Sequence, residues 1–135
     1  MDLYGEEPED EEEKDIEEEF LLSWDGMERY FKSMSLMSSW KHMEHMLTLI
    51  GLLRERGYDR QLRAGQSMAS FIVSRVRKHG LRSLHPSIRF SVGRRGQMIA
   101  TLRAPDVQVT LEFERVEITA DLENLLIPLV THPID

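Results

Sequence analysis

The sequence predicts an α+β fold: three N-terminal helices, a three-stranded antiparallel meander and a C-terminal helix, preceded by a disordered acidic tail. Two observations carry that prediction. Apolar residues recur at three- and four-residue steps from Ile16 to Val76, the spacing of one helical face. Past Leu81 the period switches to two, the spacing of a half-buried strand.

Residues 1–14 are rich in Asp and Glu and poor in apolar groups, so burial cannot offset the entropy of ordering them. Residues 15–135 are expected to form one α+β domain. The first helix is predicted from Asp15 to Lys32, on a stripe of Ile16, Phe20, Trp24, Met27 and Phe31. Ser33–Ser39 breaks it, and Ser38 or Ser39 is placed to cap a second helix from Trp40 to Arg56. Gly57 then occupies the left-handed position that ends a helix. A third helix is predicted from Asp59 to Gly80, with Leu62, Gly65, Ala69, Ile72 and Val76 on one face and Gly80 as its stop. It is the expected centre of the core.

Ile88, Phe90 and Val92 alternate with polar residues and make the first strand after Pro86. Gly93-Arg94-Arg95-Gly96 is a turn, Met98, Ala100 and Leu102 make a second strand, and Pro105-Asp106 turns the chain again. Val107, Val109, Leu111 and Phe113 form the cleanest alternating set. Thr119 is placed to cap a last helix on Leu122, Leu125, Leu126 and Leu129, which Pro128 should kink or stop.

Charge is segregated along the chain. Residues 1–19 carry twelve acids against Lys14, whereas residues 54–103 carry twelve bases against Glu55 and Asp59. The blocks fit a solvated surface of mixed charge with an acidic solubilising tail; the sharper alternative is a basic face that meets an anionic partner or the acidic tail of the same chain. The chain has no cysteine, which excludes disulfides, thiolate metal sites and cysteine nucleophiles, and suits a reducing compartment. The acidic N-terminus is unlike a targeting signal, and no apolar run approaches the roughly 20 residues that span a bilayer. A soluble cytoplasmic protein without a membrane partner is expected.

The motifs that look chemical are incomplete. Gly65-Gln66-Ser67-Met68-Ala69 nearly matches a Gly-x-Ser-x-Gly nucleophile elbow, and Asp121 and His132 follow in triad order. The elbow needs a strand before the serine, yet Ser67 falls inside the predicted third helix, so a serine hydrolase is the weakest functional class. His42 and His45 stand three apart, with nothing nominating the third ligand a zinc site needs. Gly93-Arg94-Arg95-Gly96 has the spacing of an RNA-clamping Gly-x-x-Gly loop but joins two predicted strands. No catalytic residue, metal or cofactor is therefore expected.

What remains is a non-catalytic interaction or regulatory module: an adaptor, a chaperone-like binder, or an immunity or antitoxin-type inhibitor. Five methionines lie between Met27 and Met46, beside Trp24, Phe31 and Trp40. Methionine fills irregular cores and also makes adaptable binding surfaces. The candidate partner-binding residues are Met27, Phe31, Met34, Met37 and Trp40, with Arg94 and Arg95 at a basic tip. The expected partner is another protein or a second copy of the chain. The alternative is a nucleic-acid-binding regulator of winged-helix type using residues 54–103.

Overall fold

A computed structural model describes residues 7–77 and 85–134, with side chains from residue 12 onward. Helix α1 spans Glu7–Ser35, a 3-10 turn spans Ser38–Met43, and α2 spans Glu44–Glu55. A second 3-10 turn, Tyr58–Arg60, leads into strands β1 Arg63–Ser67, β2 Ser70–Ser74, β3 Ser87–Val92, β4 Met98–Ala104 and β5 Val107–Phe113. Helix α3, Ala120–Val130, closes the order. The sheet is a five-stranded antiparallel meander in which every strand pairs with its sequence neighbours. The α+β class stands, but the third helix and the three-stranded sheet are replaced by two helices, five strands and a last helix.

The segment predicted to be the third helix is a β-hairpin. Its two strands pair from Arg63↔Ser74 to Ser67↔Ser70, so only Met68 and Ala69 turn the chain. Met68 takes a left-handed φ of 54°, a turn conformation that ordinarily calls for glycine or asparagine. A methionine there hides the turn from the sequence. Phe71, Ile72, Val73 and Ser74 are all buried, so β2 is covered on both faces and shows no alternation. The same run of apolar residues satisfies a helical stripe by coincidence. The expected helix stop at Gly80 lies outside the described residues.

Helix α1 starts earlier than predicted. Residues 7–14, expected to belong to a structureless tail, are helical, and residues 1–6 lie outside the described residues. Acidic side chains in a first turn face the positive end of the helix dipole, which favours extending the helix into this stretch. The second helix begins at Glu44 rather than Trp40, because Trp40 has φ −120° and ψ 19° and cannot continue a helix. Gly57, at φ 83°, terminates it as the sequence implies. Thr119 caps α3 by accepting from the Leu122 N–H at 3.2 Å. Pro128 does not stop α3, which runs two residues further to Val130.

One face of the sheet carries the core. Phe71, Val73, Ile88, Phe90, Ala100 and Leu102 meet Trp24 and Phe31 of α1, Met46, Ile50 and Leu53 of α2, and four leucines of α3. Trp24 and Phe31 both set edge-on contacts to Phe71, at centroid distances of 5.2 and 6.2 Å.

Helix α1 also seals one edge of the sheet. The two-residue turn makes Ser67↔Ser70 the pair that closes the hairpin, so Leu62 and Ala64 direct their backbone groups away from β2. The Ala64 N–H donates to Ser23 Oγ at 2.9 Å, and the Leu62 carbonyl accepts from Trp24 Nε1 at 2.8 Å. Tyr30 Oη donates to the Met68 carbonyl at 2.8 Å. Replacing Ser23 with Ala leaves the Ala64 N–H without its acceptor. Ser23→Ala is expected to cost about 1–2 kcal/mol in a urea titration, whereas Ser38→Ala, on an exposed side chain, leaves the midpoint unchanged.

Candidate interaction surface

The basic block meets the acids of its own chain. Arg77 binds Glu19 at 2.8 Å and Glu12 at 3.3 Å, and Arg60 approaches Glu17 at 3.5 Å. Arg54 binds Asp25 and Asp59, both at 3.0 Å, and also contacts Glu28. Partial burial disfavours the Arg54 charge, but hydrogen bonds to Asp25 and Asp59 and the field of Glu28 outweigh it and raise its pKa. Arg56 pairs with Glu123 of α3 at 2.5 Å. Arg63 and Arg75 donate to the carbonyls of Arg77 and Gln61. Five acids of α1 thus neutralise arginines that flank the first hairpin. Among the described residues, the cations of the block with neither an ion pair nor a side-chain hydrogen bond are Arg89, Arg94, Arg95 and Arg103. Within the segment 54–103 offered for nucleic-acid binding, the predicted third helix is replaced by the β1–β2 hairpin.

The predicted partner-binding residues separate into three groups. Phe31 is fully buried in the core and does not face a partner. Met27 and Met34 are half-buried and pack against that core. Met37 and Trp40 are on the surface, 53% and 38% exposed, where α1 ends and the 3-10 turn begins. Leu36 beside them is 79% exposed. A shallow groove of about 620 Å³ runs up to this corner, lined by Gly26, Arg29, Tyr30, Ser33, Met34 and Met37. These positions repeat at three- and four-residue steps and form a second stripe on α1, rotated from the Phe20–Trp24–Phe31 stripe. Tyr30, Leu36 and Arg29 were missed because the core stripe dominates the periodicity. The signal for them was the methionines left over once that stripe is assigned.

Arg94 and Arg95 sit at the tip of the β3–β4 hairpin, where Gly96, at φ 86°, supplies the left-handed residue of the turn. Arg94 lines a pocket of about 320 Å³ with Ser38, Ser39, Lys41, His42, Glu44 and His45. The tip therefore folds toward the 3-10 turn, and Trp40 stacks on His42 with ring centroids 5.6 Å apart. The apolar corner is bordered on this side by Lys41, His42, His45 and Arg94. Lys41 and the two histidines could not be tied to Arg94 from the sequence, since about fifty residues separate them.

Ser67 ends β1 and is followed by a two-residue turn and another strand, so the strand-to-helix geometry of a nucleophile elbow is not present there. His132 directs Nδ1 at the Pro133 carbonyl and its ring packs on His85. Among the described residues no three His, Cys, Asp or Glu side chains gather as a metal site. No helix among them is long and apolar enough to cross a membrane. No protein-family model, curated protein or solved structure matches the chain.

The electrostatic seal makes its own prediction. Arg54→Met strips the buried Asp59 of its guanidinium while keeping the aliphatic packing. Arg54 retains about a fifth of its side-chain surface in water, so the expected loss is about 2–3 kcal/mol, below that of a fully buried pair. Arg60→Met, on a largely exposed pair, should cost at most roughly 0.5 kcal/mol in the same urea titration.

Proposed function

We propose that the protein is a non-catalytic interaction module whose partner-binding face is the corner between α1 and the Ser38–Met43 turn. The observation that carries this reading is the cluster of Leu36, Met37 and Trp40 in solvent at the end of the Tyr30–Met34 groove. The exposed side chains at this corner are large, adjacent and include methionine, which re-packs around different ligands at little strain. Arg29, Lys41 and Arg94 border the corner. The partner that fits is a protein segment with an apolar face and acidic flanks, since charge complementarity at a rim directs association. The absence of cysteine suits action in the cytoplasm.

A second reading rests on the Trp40–His42 stack beside Lys41 and Arg94, because an aromatic platform edged by cations also binds single-stranded nucleic acid. The two readings part experimentally. In comparative capture from the native cell, a protein retained by the wild-type chain should be lost with Met34→Glu/Met37→Glu and retained with Arg94→Ala/Arg95→Ala. A fluorescent single-stranded oligonucleotide should show no binding at physiological salt. Tight oligonucleotide binding that weakens steeply with salt and disappears with Arg94→Ala/Arg95→Ala would replace the first reading with the second.

A further inference from the structure

The two edges of the sheet are treated differently. At β1 the outward backbone groups are bound by Ser23 and Trp24 of α1. At β5 Gln108, Thr110 and Glu112 are exposed, and among the described residues no helix lies along this strand as α1 lies along β1. Register identifies which groups are open. Pro105 and Asp106 form a two-residue turn, so Ala104↔Val107 is the hydrogen-bonded pair that closes the β4–β5 hairpin. Val109, Leu111 and Phe113 therefore also bond to β4, and Gln108, Thr110 and Glu112 point N–H and C=O outward. The same parity, carried across the sheet, makes Leu62 and Ala64 the outward residues of β1, where the α1 contacts are found.

Natural sheets protect an open edge with lysine, proline, a bulge or a covering segment. From Val107 to Phe113 there is no lysine and no proline, and the register to β4 is unbroken. Val107 and Val109 remain 50% and 36% exposed on the apolar side of the strand.

We propose that β5 is a self-association edge, on which the β5 strand of a second copy pairs antiparallel about a two-fold axis at Thr110. The argument is self-complementarity. In that register Val109 faces Leu111 of the second copy, Val107 faces its Phe113, and Thr110 faces its Thr110, all across one seven-residue ladder. The apolar residues fall on one side of the new ladder and the polar ones on the other. Thr101 and Thr110 already share a hydroxyl contact at 3.2 Å, so the pairing extends it into a row of four threonines. Gln108 faces Glu112 of the second copy and is itself paired with Arg103. Glu112 and Arg103, neither ion-paired within the chain among the described residues, thereby lie in one cross-strand row about two strand spacings, ~10 Å, apart, within reach of two long side chains. The like-charged pair Asp106 and Glu114 falls beyond both strand ends. The result is a continuous ten-stranded sheet with α1 sealing both of its outer edges.

The cysteine-free chain permits a register-specific test in the full protein. Opposed hydrogen-bonded residues have Cα atoms about 5.5 Å apart, within the range a disulfide spans. Thr110→Cys should oxidise to a disulfide-linked dimer at least ~10-fold faster than Ser39→Cys, because pairing raises the effective thiol concentration. Gln108→Cys and Glu112→Cys should each stay single alone, since each lies roughly 13 Å from its own copy, yet cross-link when mixed. Sedimentation of the unmodified chain should give a concentration-dependent mass approaching two chains. Thr110→Pro, which removes an outward N–H and no bond to β4, should return it to one. Equal oxidation of Thr110→Cys and Ser39→Cys would overturn the proposal. So would a single-chain mass at the highest soluble concentration, or a dimer that survives Thr110→Pro.

Discussion

The structure depends on one constraint: the backbone groups of an edge strand must be satisfied, and here side chains of a helix satisfy them. Ser23 and Trp24 reach across to Ala64 and Leu62, forty residues away in sequence, while the ring of Trp24 packs on Phe71. The same helix turn thus supplies both the polar contacts for the edge and an aromatic group for the core. An apolar helix alone would leave the Ala64 N–H and the Leu62 carbonyl in a water-poor seam with no partner, at a cost comparable to a lost hydrogen bond each. The acidic flank of α1 adds to the seal through Arg54, Arg60 and Arg77. The exposed Arg60–Glu17 pair contributes little, whereas Arg54, held between α1 and the buried Asp59, contributes more.

This accounts for the segregated charge. Twelve acids at one end and twelve bases in the middle look like a polyelectrolyte in search of a counterpart. The fold brings part of one against part of the other; Arg63 and Arg75 are taken up by backbone carbonyls, and Arg89, Arg94, Arg95 and Arg103, on the second half of the sheet, are left over among the described residues. A net charge summed over a segment says nothing of which charges remain available to a partner after folding.

How much was legible follows the strength of the local signal. Strands β3 and β5 could be placed within a residue and β4 within two, as could Gly57 and the Thr119 cap. The β1–β2 hairpin was hidden by physical causes that act together. Its turn uses Met68 at a positive φ, β2 is buried on both faces, and Gly65 has no side chain to show alternation. Periodicity then favours a helix, and only the tertiary contact with α1 decides otherwise. In the candidate surface, Met37 and Trp40 are exposed, although the helical spacing from Trp40 to Leu53 also fits a buried stripe of a second helix that in fact begins only at Glu44. Phe31, offered as a partner-binding residue, follows instead the core stripe on which its spacing from Phe20 and Trp24 places it, and packs on Phe71. The meeting of Arg94 with Lys41 and His45 is a property of the fold alone.

The strictly sequential strand order carries a consequence for assembly of the chain. Because each strand bonds to the next one in sequence, the sheet can be laid down in the direction of synthesis, one strand at a time, with no strand inserted between two others. The β1–β2 and β4–β5 closures are two-residue turns and entropically cheap, whereas bringing α1 back to β1 and α3 back to the rest of the core closes longer loops. The closure of α1 on β1 needs only the first half of the chain, so the sealed edge is completed early and the sheet grows away from it. Every intermediate length ends in a freshly exposed strand, and the nascent chain carries this exposure forward until β5 is reached. The open edge is thus the last strand of the meander to be laid down, at the end of the sheet opposite the one that α1 seals.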